Sequence, residues 1–425
     1  MGPGPPVRAS STEALPFSES QASRSAQQQV ARAAELRKVH EAFAWFRSHA
    51  RELEDLQLEV TSIAAPPWGE AARSAWLEAR FSELALSDVH QDELGNVFGV
   101  RPGTDPNASY IALSAHIDTV FPAGTPIEVR RDAGKLYGPG ISDNSSGIIA
   151  LLAIAGAMQA ANLSAAAPVL FIGDVGEEGE GDLRGMRHIF HQPRWSANIA
   201  SLVVLDGAGT DTIIAEGLGS RRYEVTVRGH GGHSWSDFGV ANPIVALARI
   251  IDRFAGTPVP ALPKTTYNIG MINGGTSVNS IPESATMKVD TRSASVEQLD
   301  RLESALHEAV DAMISDSAGH KKQELLSAEF RVIGNRPAAD LPVESQLLKA
   351  IRAVDAQLNN AARIQRASTD ANVPLSLGRE AIAIGAGGSG GGAHTIGEWY
   401  DPTGRDLGLK RILLLILALA GVVDE

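Results

Sequence analysis

The sequence contains no cysteine. Disulfides are excluded, and so is any metal site built on thiolates. A metal bound by this chain must be held by imidazole and carboxylate groups. A cysteine-free chain suits the cytoplasm, although its composition does not exclude export. Positive charge is in deficit: 37 Lys and Arg stand against 50 Asp and Glu, a formal net charge of −13. That balance speaks against nucleic acid or an anionic membrane as the main partner. It suits a cation site lined with carboxylates. Long apolar runs are lacking as well. The most apolar segment, residues 412–423, is too short to span a bilayer and reads as a buried terminal helix. Residues 1–29 are rich in Gly, Pro, Ser, Ala and Gln and lack the apolar core of a signal peptide. They read as a disordered tail.

What is present is a globular composition. Apolar residues make up 44% and charged residues 20% of 425 positions, enough chain for two or three domains. Apolar residues at helical spacing predict helical structure over about 31–58. The run 144–161 predicts a further helix, with small and apolar residues. Short apolar runs at 110–115, 168–172, 202–205 and 381–384 predict strands, with helical patterns between them. Strands alternating with helices give an α/β fold, a mainly parallel sheet with helices on both faces. Residues 220–334 differ. Their order, strand-helix-strand-strand-helix-strand, is that of a ferredoxin-like α+β unit. We read it as a domain inserted into the first, which then occupies 30–219 and 335–425.

The chemistry follows the strands. The run 110–115 leads into His116 and Asp118; 168–172 leads to Glu177 and Glu178; 202–205 leads into Asp206. The run 381–384 leads through a glycine-rich loop to His394, and Asp143 lies just before the helix at 144–161. Ligands of open α/β sheets bind beyond the carboxyl ends of the strands, so these groups converge on one rim. Carboxylates held close together repel one another. Two divalent cations, roughly 3.5–4 Å apart and sharing one carboxylate, would neutralise them. A donor set without sulfur suits zinc and also admits cobalt or manganese. The glycine-rich loop 385–392 has no Lys-Ser/Thr after it, so it is no phosphate loop. Its glycines are expected to let the backbone approach substrate.

In order, Ser114-Ala-His116-Ile-Asp118, Gly140-Ile-Ser-Asp143-Asn144, Gly176-Glu177-Glu178-Gly179, Leu205-Asp206 and Ala393-His394-Thr395 resemble the motifs of the M20 metallopeptidase and aminoacylase family. Carboxypeptidase G2-like and peptidase T-like enzymes and succinyl-diaminopimelate desuccinylase belong to it. The resemblance implies two divalent metal ions. His116 and Asp206 would hold one, Glu178 and His394 the other, and Asp143 would bridge them and precede a cis peptide. It makes Asp118 the acid that orients the ligating histidine and Glu177 the general base. It also implies that His233, in Gly231-Gly-His233-Ser, reaches the active site of a partner subunit, so that the chain is a homodimer through its inserted domain. Asn279 and Arg292 match a substrate-binding pair, and a guanidinium fork suits a carboxylate.

The implied activity is amide hydrolysis of short peptides by an exopeptidase, from either the amino or the carboxyl end. Deacylation of N-acyl amino acids would use the same residues. A non-catalytic binding protein on this fold would be expected to have lost Glu177 or a ligand, and all are in place.

Overall fold

The computed structural model describes residues 21–317 and 326–423. Among these the largest sheet has nine strands. Its centre is parallel: Val169–Asp174, Tyr110–His116, Ile199–Leu205 and Glu380–Ile384 lie side by side in that order. Val97–Arg101 and Ser87–Gln91 extend one edge antiparallel. Thr212–Gly217 lies antiparallel at the other, flanked by Ala339–Asp340 and Arg363–Ala367. The central strands are apolar almost without alternation because both faces are covered. Val169–Asp174 is buried throughout, and so are the last six residues of Tyr110–His116.

Helix Ser145–Ala160 packs against this sheet, and nearly all of its length is buried. A helix apolar on every side belongs in an interior. Each fully buried Leu or Ile there contributes about 1.5–3 kcal/mol. Helix Arg405–Ala420, the predicted terminal helix, is buried in the same core.

One reading at the N-terminus needs correction. The tail expected over 1–29 is helical from Gln21, in a helix that ends at Glu35, while residues 1–20 lie outside the described residues. Ala26, Val30 and Ala33 of this helix are buried against the core. Ala and Gln, which read as low-complexity tail, are also good helix formers. The helical pattern expected over 31–58 is found, divided among three helices: Gln21–Glu35, Arg37–Ser48 and Ala50–Ser62. Leu36 is extended between the first two (φ −69°, ψ 132°). Val30 and Leu36 are six positions apart, which is out of phase on a 3.6-residue turn.

The six elements read in 220–334 occur in the expected order, starting at Gly219 and ending at Arg336. They form a four-stranded antiparallel sheet in the order Thr265–Gly274, Ser284–Ser293, Gly219–Arg228, Ser327–Arg336. Helices Pro243–Ala255 and Val296–Ser317 pack on it around a core of its own. Tyr223, Val225 and Val227 face that core, and the alternating residues Arg222 and Glu224 face out. A two-stranded ribbon, Gly232–His233 with Ser280–Ile281, projects from this unit. A further small sheet joins Ser389–Gly391, Trp399–Asp401, Lys135–Tyr137 and Arg130–Asp132, which brings residues near 140 beside residues near 398.

Candidate metal centre

His116 ends its strand, fully buried. Its Nε2 lies 3.1 Å from Asp143 Oδ1 and 3.8 Å from Asp206 Oδ1. On the far side its Nδ1 lies 3.5 Å from Asp118 Oδ1. Asp118 also accepts the backbone N–H of Glu177 (3.0 Å) and of Glu178 (2.9 Å). One buried carboxylate thus fixes both the imidazole and the loop that carries the two glutamates. The hydrogen bonds to His116 and to these amides outweigh burial and keep the Asp118 carboxyl below its usual range.

Asp143 turns its other oxygen, Oδ2, toward His394 Nε2 at 3.3 Å. The same nitrogen is 3.2 Å from Glu178 Oε1. His394 sits at the turn of the hairpin between Ser389–Gly391 and Trp399–Asp401, in the left-handed region at φ 64°. Three groups of donor atoms close enough to share an ion result: His116 with Asp143 and Asp206, Asp143 with Glu178 and His394, and His116 with Glu177 and Glu178. Asp143 belongs to two of them. Two imidazoles and three carboxylates, with Asp143 between the groups, fit a pair of divalent ions held without sulfur.

The loops are tied to one another. Asn144 caps helix Ser145–Ala160, its Oδ1 accepting from Gly147 N at 3.2 Å. Its Oδ1 also accepts from Gly207 N (3.1 Å), and its Nδ2 donates to Leu205 O (2.8 Å). The Asp143 and Asp206 loops are therefore locked together by one side chain. A Cβ at Gly147 would lie 2.4 Å from Leu205 O, so the residue must be glycine. The Asp143–Asn144 peptide is cis.

Glu398 was not singled out in the sequence. It is fully buried, and its carboxylate accepts from Gly140 N (2.8 Å), Ser142 N (2.8 Å) and Asp143 N (2.7 Å). Burial pushes it up to about 7 against the pull of those three amides. It cradles the loop that presents Asp143. The one available signal was an acid four residues after His394.

Glu177 is buried and paired with Arg336. Burial pushes its carboxyl up to about 8, with Arg336 opposing that shift and Glu178 adding to it. Arg336, which the sequence allowed equally as a substrate contact or a hinge ion pair, lines the same cavity as the base.

The cavity holds about 420 Å³, and its wall includes His116, Asp143, Glu177, Glu178, Asp206 and His394. Arg222, Arg292, Arg336 and Arg366 line it as well. His233 and Asn279 are not on its wall. They sit together on the ribbon, where Ser234 N donates to Asn279 O (3.0 Å), and both side chains are exposed. The expected pair Asn279 and Arg292 is thus divided within one chain. The glycines of the 385–392 loop approach protein rather than an open cleft: a Cβ at Gly390 would meet Ser142 Oγ at 2.2 Å, and one at Gly385 would meet Ala208 O at 2.4 Å.

Comparison with known proteins gives the family and the fold. The profile of Peptidase family M20/M25/M40 matches residues 112–418. The chain belongs to this family. A probable carboxypeptidase of Aspergillus clavatus is 28% identical over 271 residues, which are 58% of this chain and 59% of that one. The chain therefore matches under two thirds of this curated relative's length. Among solved structures, aminopeptidase PepT from Bacillus cereus superposes with a TM-score of 0.69 at 19% identity, covering 87% of this chain and 98% of that one. The Bacillus subtilis YXEP protein, described as a dinuclear metal binding peptidase from the M20 family, superposes with a TM-score of 0.62 at 15% identity, covering 89% and 100%. Both share the fold. Among the described residues no helix is long and apolar enough to cross a membrane.

Proposed function

We propose that this M20-family chain is a two-metal exopeptidase that hydrolyses short peptides bearing a free carboxylate. The observation that carries the reading is the position of Asp143, whose two oxygens face separate imidazoles, with Asp206 and Glu178 outside them. His116 and Asp206 would hold one ion, His394 and Glu178 the other, and Asp143 both. Zinc suits this donor set, and cobalt or manganese can replace it. When bound, such ions polarise a carbonyl and make water acidic enough to attack near neutral pH.

The protein's own groups do the rest. Glu177 takes the proton of the attacking water and returns it to the leaving amine. Its buried position keeps its carboxyl pushed up to about 8, close to the range in which both transfers proceed. Arg292, on the wall of the same cavity, receives the substrate carboxylate. His233 is exposed on its ribbon beside exposed Trp235, Phe238 and Val278. A second copy of the chain seated on this unit would carry its His233 to the first copy's cavity, to hold the developing oxyanion.

N-acyl amino acids present the same carboxylate to Arg292, so deacylation is the second reading. A panel of di- and tripeptides, their C-terminal amides and N-acetyl amino acids, with products identified by mass spectrometry, separates the two. Glu177→Ala should abolish turnover and leave metal content intact. Appreciable residual activity would remove Glu177 as the base.

A further inference from the structure

Four arginines line the cavity that holds the candidate metal ligands, and they are not equivalent. Arg336 is taken by Glu177 at 2.9 Å. Arg366 is taken by Asp340, at 2.6 and 2.7 Å, and by Glu216 at 3.1 Å. Arg222 and Arg292 share a single acid. Arg292 Nε donates to Asp290 Oδ2 at 2.8 Å, and Arg222 Nε donates to Asp290 Oδ1 at 3.3 Å.

The sheet sets this arrangement. Asp290 and Arg222 are direct cross-strand partners on neighbouring antiparallel strands, and Arg292 follows two positions on, on the same outward face. One step along the same face, Glu224 is held by Lys288 (3.8 Å) and Arg331 (2.6 Å). Both contacts with Asp290 use the Nε edge of a guanidinium. The outer Nη groups are left to point elsewhere. One of them, Arg222 Nη1, donates to Gly179 O at 2.6 Å, next to Glu178. Two positive charges with one shared negative charge leave one charge over, and both guanidinium groups line the cavity.

We propose that Arg222 and Arg292, yoked through Asp290, form a two-guanidinium receptor for one substrate carboxylate. Arg222 is the specificity residue added to Arg292, and Asp290 is the positioning residue. The inference rests on the exopeptidase reading and names the end of the substrate that is recognised. Asp290 fixes the two forks at a set spacing. Arg222, anchored on Gly179, ties that spacing to the glutamate loop. A carboxamide has one acceptor oxygen and no charge, so it cannot satisfy two forks.

The test uses the full chain loaded with zinc, a dipeptide and the C-terminal amide of the same dipeptide. The native chain should cleave the acid with a KM at least about ten-fold lower than the amide, as loss of a charged hydrogen bond implies. Arg222→Gln should raise KM for the acid about ten-fold, change kcat by less than about three-fold, and shrink the acid-to-amide ratio toward one. Asp290→Asn should shrink the ratio in the same way, while Asp290→Glu, which keeps the charge between the forks, should restore part of it. A misfolded variant would lose acid and amide cleavage together, and circular dichroism would report it. Binding of both ligands is also titrated in the Glu177→Ala background, where no turnover occurs. Acid bound in preference to amide, with the preference abolished by Arg222→Gln, supports the receptor even if the native chain hydrolyses neither, and in that case the peptidase reading falls alone. A preference that Arg222→Gln leaves unchanged overturns the receptor alone and leaves the free-carboxylate reading standing, whereas equal cleavage of acid and amide overturns the receptor and the free-carboxylate requirement together and leaves only amide hydrolysis.

Discussion

Arg336 Nη1 lies 2.9 Å from Glu177 Oε1, with both side chains less than a tenth exposed. A second nitrogen of the same guanidinium bonds the Glu177 carbonyl. The base is thus held at its carboxylate and at its backbone by one residue from the last strand of the four-stranded unit. Removing the guanidinium takes away the one charge that opposes the upward shift of the buried Glu177 carboxyl and leaves that carboxyl without compensation when it ionises. Arg336→Met should lower the melting temperature and reduce kcat by about 100-fold or more. In the double variant with Glu177→Gln the stability loss should be smaller than the sum of the single losses. Additive losses in a thermal-unfolding cycle would show that the two side chains do not act as a pair.

Glu398 supports the metal site without reaching it. Its carboxylate collects three amides of the 140–143 loop, all between 2.7 and 2.8 Å. Glu398→Gln keeps the shape but replaces one acceptor oxygen with a donor, which must face an N–H. Residues that orient metal ligands are worth about 10–100-fold in metal affinity. Zinc competition against a chromophoric chelator should therefore show weakening in that range, with kcat recovering as zinc is raised. An unchanged affinity would reduce Glu398 to a fold residue.

The parts legible in the sequence share a physical cause. His116, Asp143, Glu178, Asp206 and His394 follow strands or open a helix, and a parallel sheet gathers strand ends on one rim. The local pattern therefore carried a non-local site. Glu398 was not read, nor was the partner of Arg336, because the groups they meet lie 255–258 and 159 positions away, and no local periodicity records which loop a side chain will meet. His233 and Asn279 show the opposite limit. Their motif was visible, yet within one chain they stand on an exposed ribbon away from the cavity wall. The N-terminal helix was missed because Ala- and Gln-rich sequence fits a tail as well as a helix until its small apolar face finds a core.

Behind Glu177, Asp174 and Asp370 are fully buried, and none of their four oxygens finds a donor elsewhere. Two such carboxylates can bond only by sharing a proton. Burial pushes Asp174 up to about 6, and burial with the Asp174 charge pushes Asp370 well above its usual range, so the proton belongs to Asp370. The folded chain then holds protons that the unfolded chain releases near pH 4, so stability from this pair is present below that pH and falls as pH rises through about 6. Asp370→Asn offers Asp174 a permanent donor. The variant should show a flatter dependence of melting temperature on pH between about 4 and 7 than the native chain. Parallel curves would mean that the pair carries no shared proton.

Metal binding should release protons, and the two imidazoles say where from. Without metal, the hydrogen bonds that His394 donates to Asp143 and Glu178 push it up to about 10. For His116, burial pulls the value down, but Asp118, Asp143 and Asp206 together raise it well above the usual imidazole range. His394 is therefore imidazolium at pH 7 before metal arrives, His116 is shifted in the same direction, and a metal ligand must be neutral. For a histidine with a raised value, the stabilisation by its acidic neighbours is complete below about 6.5 and is lost as pH rises toward about 10. His394 is more than half exposed, so solvent screens much of its share. A metal replaces both protons as the positive charge among the carboxylates. Calorimetric zinc titrations at pH 7, in buffers of different ionisation enthalpy, should report on the order of two protons released per pair of ions bound. Apparent affinity should climb with pH between about 6 and 8. A heat independent of buffer would show both rings neutral beforehand, and the charge balance that places Asp143 between two cations would then have to be drawn differently.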